Sequence, residues 1–123
     1  MKIGFHDTDP AGGMIPMIIE LKEKGVKYKD ISYDKLKTVK GLDLMIINSL
    51  GLSHLPKSAL KKYCEDVKEI IKSNYDTKFL MMVPGQEWAL GMIRRLGAQE
   101  NLDYVTDGNT YKLTKILGEN TKW

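Results

Sequence analysis

Short apolar runs alternate with amphipathic segments along most of the chain. Continuous apolar runs at Leu44–Ile47 and Phe79–Val83 are typical of parallel strands covered on both faces. Between them, from Leu60 to Ile71, apolar residues recur at spacings of three and four, which indicates a helix with one buried face. The pattern therefore predicts a helix that crosses between two buried, neighbouring strands.

Weaker signals extend this alternation toward both ends of the chain. The remaining strand signals lie at 2–5, 28–33 and 102–106, and the remaining helix signals lie at 12–24, 88–96 and 111–117. Gly25, Gly97 and Gly118 follow the helix signals, where glycine commonly closes a helix. The predicted order is therefore β-α-β-β-α-β-α-β-α.

This order predicts one α/β domain that covers residues 1–123. The expected fold class is the three-layer, doubly wound, flavodoxin-like arrangement of five mainly parallel strands in the order 2-1-3-4-5. Only residues 35–42 separate the second and third strands, whereas a full crossover needs a dozen or more residues. We therefore expect the second crossover helix to be short or absent, and Ile47, Ile70 and Leu80 to be buried in the core.

Composition and charge limit the kinds of partner and site that the chain is expected to have. The net charge is +3, and between positions 20 and 40 the lysines are interleaved with acidic residues, which is typical of a solvated face and disfavours nucleic acid as a partner. A single cysteine, Cys64, excludes an intramolecular disulfide and a cysteine-based metal site. No apolar run reaches the length that spans a bilayer, so we expect no membrane partner and a cytoplasmic location.

Candidate binding residues lie in the loops that follow the strands. In this fold, ligands bind outside the carboxyl ends of the strands. The loops predicted there are rich in glycine and short polar residues, as ligand loops and ordinary tight turns both are. The predicted cofactor-binding residues are Thr8, Asp9, Gly12, Gly13, Ser49, Gly51, Pro84, Gly85 and Gly108.

The first of these loops, His6 to Gly13, carries the most chemistry. Asp7 and Asp9 could together hold a hard cation such as magnesium, which prefers carboxylate oxygens. Gly12 and Gly13 precede a predicted helix, where backbone N–H groups suit an anion. Turn formation and helix capping by the same Asp and Thr side chains is the alternative interpretation.

No catalytic constellation accompanies this loop. His6 and His54 have no serine or cysteine partner at a recognisable spacing, so nucleophilic catalysis has no support. A receiver domain would place an aspartate at the end of the third strand, where this chain has Asn48-Ser49. Pro84 and Asp107 likewise replace the hydroxyl and lysine residues expected after strands four and five. A receiver-like domain of this kind would act without phosphorylation.

Several soft motifs are shared with one further family. Gly12-Gly13-Met14-Ile15-Pro16 opens a helix that ends at Gly25, Ser49 ends the third strand, Pro84-Gly85 follows the fourth, and Gly108 follows the fifth. With these features the chain, from Pro10 onward, resembles the cobalamin-binding domain that precedes the catalytic barrel in many radical SAM enzymes. The resemblance implies cobalamin as the cofactor and a role as a module of a larger enzyme system.

The histidine motif of that family is incomplete here. Cobalamin domains of the histidine-ligating type carry D-x-H-x-x-G, and around His6 this chain has Gly4 at the Asp position and Asp9 at the Gly position. The resemblance therefore implies a corrinoid that His6 does not coordinate. The cysteine triad of radical SAM chemistry is absent from the sequence.

Three interpretations remain open at this point. The first is a stand-alone small-ligand-binding module of the cobalamin-domain kind. The second is a receiver-like domain that acts through a protein partner or a homodimer. The third is a small cation-dependent enzyme that uses Asp7 and Asp9, although the missing catalytic constellation favours a binding protein over an enzyme.

Overall fold

Five parallel strands form the sheet of this domain. The computed structural model describes residues 2–8, 19, 22–38, 40–83 and 85–105. The strands are β1 (Ile3–Asp7), β2 (Tyr28–Asp30), β3 (Leu44–Asn48), β4 (Lys78–Met82) and β5 (Leu102–Val105). They pair in the order β2-β1-β3-β4-β5, and every pair is parallel. This confirms the predicted flavodoxin-like fold class and strand order.

Two α-helices and two short 3₁₀ helices connect the described strands. They are η1 (Tyr33–Thr38), η2 (Leu50–His54), α1 (Lys57–Ser73) and α2 (Glu87–Leu96). Among the described residues of the second crossover, the only helix is the six-residue η1, as the short segment predicts. No helix within the described residues is long and apolar enough to cross a membrane.

Element boundaries differ from the prediction at two places that affect the site. Strand β1 continues to Asp7, so His6 lies within a strand and not in the loop to which the sequence assigns it. Strand β2 stops at Asp30, because Tyr33 begins η1. Both shifts bring aromatic residues to the carboxyl edge of the sheet.

Parts of the two terminal helix predictions lie outside the described residues. Of the helix predicted at 12–24, only Ile19 and the segment from Lys22 are described; Ile19, Lys22 and Glu23 are helical, and Gly25 follows with a φ of +68°. The helix predicted at 111–117 is wholly outside. Gly97 closes α2 as predicted, with a φ of +72° and its N–H donating to the carbonyl oxygens of Ile93 and Arg94.

The core lies mainly between the sheet and the two α-helices. Alternate residues of the central strands, including Met45, Ile47 and Met81, pack in one cluster with Val67 and Ile71 of α1. The opposite face of the sheet is buried as well, since Ile46 and Met82 are fully inaccessible. Ile47, Ile70 and Leu80 are buried, at exposed fractions of 1%, 6% and 4%, as predicted.

Candidate functional site

A pocket opens beside the carboxyl end of β1. Its volume is about 640 Å³, and its walls come from the end of β1, the segment after β2, the helix η2 and one face of α1. We call it the aromatic pocket after three of its lining residues, His6, Tyr33 and Tyr63. Thr8 and Gly51, two of the predicted binding residues, also line it.

The short second crossover explains why this space exists. In a doubly wound fold a full helix in this crossover would pack beside α1 and cover the sheet. Here η1 has six residues, of which only Leu36 is buried. The face of α1 that carries Ala59 and Tyr63 is therefore left open to the pocket.

Three rings stack against one another at the wall of the pocket. The ring centroids of Tyr33 and Tyr63 are 5.5 Å apart with an interplanar angle of 21°, and those of His6 and Tyr63 are 6.1 Å apart at 23°. His6 and Tyr33 are 6.5 Å apart at 44°. Because Tyr33 is 43% exposed while His6 and Tyr63 are buried, Tyr33 is the outer ring of the stack.

The hydrogen bond of His6 determines which of its ring nitrogens carries the proton. Nδ1 lies 2.7 Å from the carbonyl oxygen of Ile31. A carbonyl can only accept, so Nδ1 donates, and in the neutral ring Nε2 carries a lone pair. Burial lowers the pKa of His6, although the Ile31 carbonyl and the charge of Asp7 act in the opposite direction. The ring is therefore neutral near pH 7.

Two buried polar atoms of the pocket wall lack a partner among the described residues. These are Nε2 of His6 and the hydroxyl oxygen of Tyr63. Burial also raises the pKa of Tyr63, with the nearby Tyr33 adding to the effect, so the phenol stays protonated. An unsatisfied buried polar group typically costs about 1–3 kcal/mol, so atoms of this kind require an explanation.

A charged cluster ties η1 to α1 next to the stack. Asp66 Oδ2 accepts hydrogen bonds from the Tyr33 hydroxyl at 2.5 Å and from Lys62 Nζ at 3.0 Å, and Lys37 Nζ lies 3.3 Å from Oδ1. Burial favours a higher pKa for Asp66, but these three donors outweigh it and lower the pKa. The carboxylate therefore stays ionised and holds Tyr33 in place over the pocket wall.

The structure describes four of the nine predicted binding residues. Asp9, Gly12, Gly13, Pro84 and Gly108 lie outside the described residues. Thr8 and Gly51 are brought together, since Thr8 Oγ1 donates to the carbonyl of Asn48 at 2.7 Å and accepts from the N–H of Gly51 at 3.2 Å. Both Thr8 and Gly51 therefore belong to the aromatic pocket.

The other two described residues, Ser49 and Gly85, are not among the lining residues of that pocket. Ser49 is completely buried, and its hydroxyl donates to the carbonyl of Met82 at 2.7 Å. Gly85 is exposed, and a Cβ atom placed on it would meet no atom within 4 Å. The hydrogen bond of Ser49 therefore stabilises the contact between β3 and β4, while Gly85 is accessible at the carboxyl edge of the sheet.

The described residues offer few groups suited to metal binding or to phosphoryl transfer. No group of three His, Cys, Asp or Glu residues there is placed to hold a metal ion. Asp7 accepts a hydrogen bond from the side-chain amide of Asn48 at 2.8 Å. Asn48 ends β3, the position at which a receiver domain would carry its acidic phosphoacceptor. Asp9, the other proposed cation ligand, lies outside the described residues.

A second concavity lies between α1 and α2. Its volume is about 420 Å³, and its floor includes Leu60, Cys64, Trp88 and Met92. The lining also includes Ser58, Gly91 and three cationic residues, Lys57, Lys61 and Arg95, and no acidic residue among those that the structure describes. We call it the cationic groove. Cys64 is a buried free thiol whose pKa is raised by burial, so it is a structural residue here.

Sequence reasoning missed most of the aromatic pocket. Tyr63 belongs to the apolar stripe of the predicted helix, and Tyr33 belongs to the predicted second strand. Asp66 lies between the apolar positions of that helix, where the pattern predicts exposure to solvent, but it is buried at 8% exposure. The spacing of Lys62 and Asp66, four residues apart on one helix, was the available signal.

Comparisons with known proteins address the fold. No family model matches the chain, and no curated protein matches it in sequence. Among solved structures it is similar to a chain of Burkholderia thailandensis described as the pilus assembly protein CpaE, with a TM-score of 0.52. The match covers 85% of this chain and 84% of that chain at 10% sequence identity. At this identity the likeness shows a shared fold and nothing further.

Proposed function

We propose that this domain binds a small molecule in the aromatic pocket and carries out no phosphoryl transfer. The observation that carries the proposal is a pair of buried atoms, Nε2 of His6 and the hydroxyl of Tyr63, that lack a partner among the described residues and belong to two residues that line the pocket. Native proteins rarely leave such atoms unsatisfied, and a bound molecule that pairs with them removes the cost.

Position and size support the same proposal. The pocket lies outside the carboxyl end of β1, the edge at which doubly wound folds bind their ligands. Its volume of about 640 Å³ falls within the range of roughly 300–1,000 Å³ that is usual for small-molecule sites. Its walls are mostly apolar with a few polar groups, which is also typical of such sites.

Binding is favoured over catalysis by the surroundings of His6. A neutral histidine with a free lone pair can act as a general base, but it needs a proton to abstract within hydrogen-bonding reach. Within the described residues, Nε2 has no hydrogen-bond partner, so His6 activates no serine, threonine or cysteine nucleophile there. The proposal therefore gives His6 the role of a ligand contact.

The proposal can be tested with two matched variants of neighbouring residues on α1. Ala59 lines the aromatic pocket, and Ser58 lines the cationic groove. Benzimidazole, indole, phenol and cyclohexanol serve as probes, and their binding is followed by two-dimensional NMR of the labelled protein. We expect at least one probe to shift resonances of pocket residues at millimolar concentration. Ala59→Trp should abolish this by filling the pocket, and Ser58→Trp should leave it unchanged.

Two results would contradict the proposal. One is that none of the four probes perturbs the pocket. The other is that Ala59→Trp, shown to be folded by its dispersed NMR spectrum, binds the probes as the wild type does.

A second candidate function uses the cationic groove. A receiver-like domain without a phosphoacceptor would act through protein contacts, and this groove presents three cations around an apolar floor. Its charge is complementary to an acidic amphipathic helix, and it disfavours a second copy of this chain, whose net charge is +3. We therefore propose an acidic helical segment of a partner protein as the occupant.

This candidate has its own test, in which the two α1 variants exchange roles. The probe is a synthetic amphipathic helical peptide with leucine on one face and glutamate on the other, measured by fluorescence anisotropy. We expect binding that weakens as salt is added, is lost in Ser58→Trp and persists in Ala59→Trp. Binding that Ser58→Trp leaves unchanged, or no binding by the wild type, would exclude the groove.

A further inference from the structure

We infer that the ligand of the aromatic pocket is a neutral, planar ring that carries an N–H or O–H donor, and that it binds by taking the place of the Tyr33 ring. This inference rests on the proposed function, since it names the chemical class that the same pocket would accept. Four features of the residues around the pocket support it.

The donor follows from the hydrogen-bonding state of His6. Because Nδ1 donates to the Ile31 carbonyl, Nε2 of the neutral ring can only accept. A ligand that satisfies this atom must therefore present a hydrogen. The Tyr63 hydroxyl can donate or accept, so it places no further restriction on the ligand.

The planar shape follows from the ring stack. Tyr63 lies nearly parallel to both of its neighbours, at 23° to His6 and 21° to Tyr33. A flat group that replaced Tyr33 would keep an offset-stacked contact with Tyr63, whereas a puckered aliphatic ring would lose it. Ile31 and Leu52 provide further apolar lining.

Neutrality follows from the charges of the described lining. Asp7 and Lys62 are its only charged residues, and they are of opposite sign. Lys62 is already paired with Asp66, which also pairs with Lys37. The pocket therefore offers no unpaired cation to a phosphate or a carboxylate.

The displacement of Tyr33 is inferred from the solvent accessibility of the three side chains. Nε2 of His6 and the Tyr63 hydroxyl are sealed from solvent, while Tyr33, the outer ring, is 43% exposed. Its hydroxyl is held by a hydrogen bond to Asp66, which retains its two lysines when the tyrosine leaves. Because Tyr33 is the partly exposed ring of the three, its side chain is the one that can rotate outward and open the site to the ligand.

The experiment compares benzimidazole with 1-methylbenzimidazole and cyclohexanol at neutral pH, by NMR titration of the whole chain. The methylated ring has a similar shape but no donor, and cyclohexanol has a donor but is not planar. We expect benzimidazole to bind about tenfold more tightly than either, a difference of about 1.4 kcal/mol. The ¹⁵N resonance of His6 Nε2 should move only with benzimidazole, and contacts between Tyr33 and Tyr63 in nuclear Overhauser spectra should be lost in the complex.

A variant and its outcomes complete the test. In His6→Phe, which keeps a flat ring, the preference for benzimidazole over its methylated form should disappear. If that variant does not fold, the ¹⁵N shift in the wild type decides the same question.

Equal affinities for the two benzimidazoles would contradict the requirement for a donor. An affinity for cyclohexanol equal to that for benzimidazole would contradict the requirement for a planar ring. The proposed function would survive both results. A persistent Tyr33–Tyr63 contact would overturn the displacement. No binding of any probe would remove the proposed function itself.

Discussion

Gly4 shows how a single residue determines the packing beside the site. A Cβ atom built at this position in β1 would lie 2.6 Å from Leu42 Cδ1, 2.7 Å from Ile31 Cδ1 and 2.8 Å from Met45 Sδ. Any larger residue at this position would therefore force these three side-chain tips to shift. The same crowding closes the position at which the cobalamin motif D-x-H-x-x-G would carry its aspartate.

We expect Gly4→Ala to destabilise the domain by about 1–3 kcal/mol, the usual cost of overpacking a core. Gly91→Ala in α2 is the matched control, since its Cβ would approach only Arg94 Nη2, at 3.8 Å. Alanine should stabilise that helix by up to about 1 kcal/mol. Urea unfolding measures both changes, and equal stabilities of Gly4→Ala and the wild type would mean that the three tips shift freely.

His6 makes stability depend on pH in a defined direction. Its folded pKa is lowered by burial, whereas the unfolded chain titrates near the ordinary value of about 6.5. The unfolded state therefore takes up a proton first, and the free energy of unfolding falls as the pH drops below about 6.5. The contribution of His6 is fully present above that pH.

Measurement of the free energy of unfolding between about pH 7.5 and 5 tests this effect. The slope should be smaller in His6→Phe, which cannot be protonated. An identical slope in His6→Phe and the wild type would contradict the burial argument.

At the scale of elements, helix α1 performs two tasks with two parts of its surface. Val67, Ile70 and Ile71 pack into the core, while Tyr63 and Asp66 face the aromatic stack and the residues of η1. The same helix therefore supports both the core and one wall of the pocket. Asn101 adds to this by donating to carbonyl oxygens after α1 and before β4, those of Asn74 and Thr77.

Truncation of the core face of α1 should be costly. We expect Ile70→Ala to lower the free energy of unfolding by about 2–5 kcal/mol, through lost burial and a residual cavity. Glu69→Ala, at the exposed neighbouring position, should change it by less than about 0.5 kcal/mol. Chemical denaturation measures both free energies of unfolding. A loss below about 1 kcal/mol for Ile70→Ala would show that the core collapses around the smaller side chain.

At the scale of the whole molecule, the carboxyl edge of the sheet offers two places for a ligand. The aromatic pocket lies at the β1 and β2 end, where the short η1 leaves space. The crevice predicted from sequence extends along the loops after β1, β3, β4 and β5, and Gly85 is its described residue after β4. The small planar ligand that we propose would use the first place, and a corrinoid, if the family resemblance holds, would use the second.

Hydroxocobalamin distinguishes these two places. If the resemblance holds, titration followed by visible absorbance should show binding that survives His6→Ala and is lost in Gly85→Leu. The second variant should fold normally, since a Cβ at Gly85 meets no atom within 4 Å. Benzimidazole binding in the aromatic pocket should be unaffected by Gly85→Leu. Corrinoid binding that His6→Ala abolishes would show that the histidine coordinates cobalt despite the incomplete motif.

The sequence by itself determined the fold class, the strand order and much of the core. These depend on local periodicity and on segment length: the apolar runs that became β3 and β4, the stripe that buried Ile70, and the few residues available to η1. Each can be read within a window of about 18 residues, because a helix or strand repeats its pattern over that distance.

Only the tertiary structure decided where the site lies. His6 meets the carbonyl of Ile31, 25 positions away, and Tyr33 meets Asp66, 33 positions away. Neither contact can be inferred from a local repeat, because several different elements lie between the two residues of each pair. Tyr63 has the spacing of a core residue and is buried like one, so its unpaired hydroxyl becomes visible only when every neighbouring donor and acceptor has a position in space.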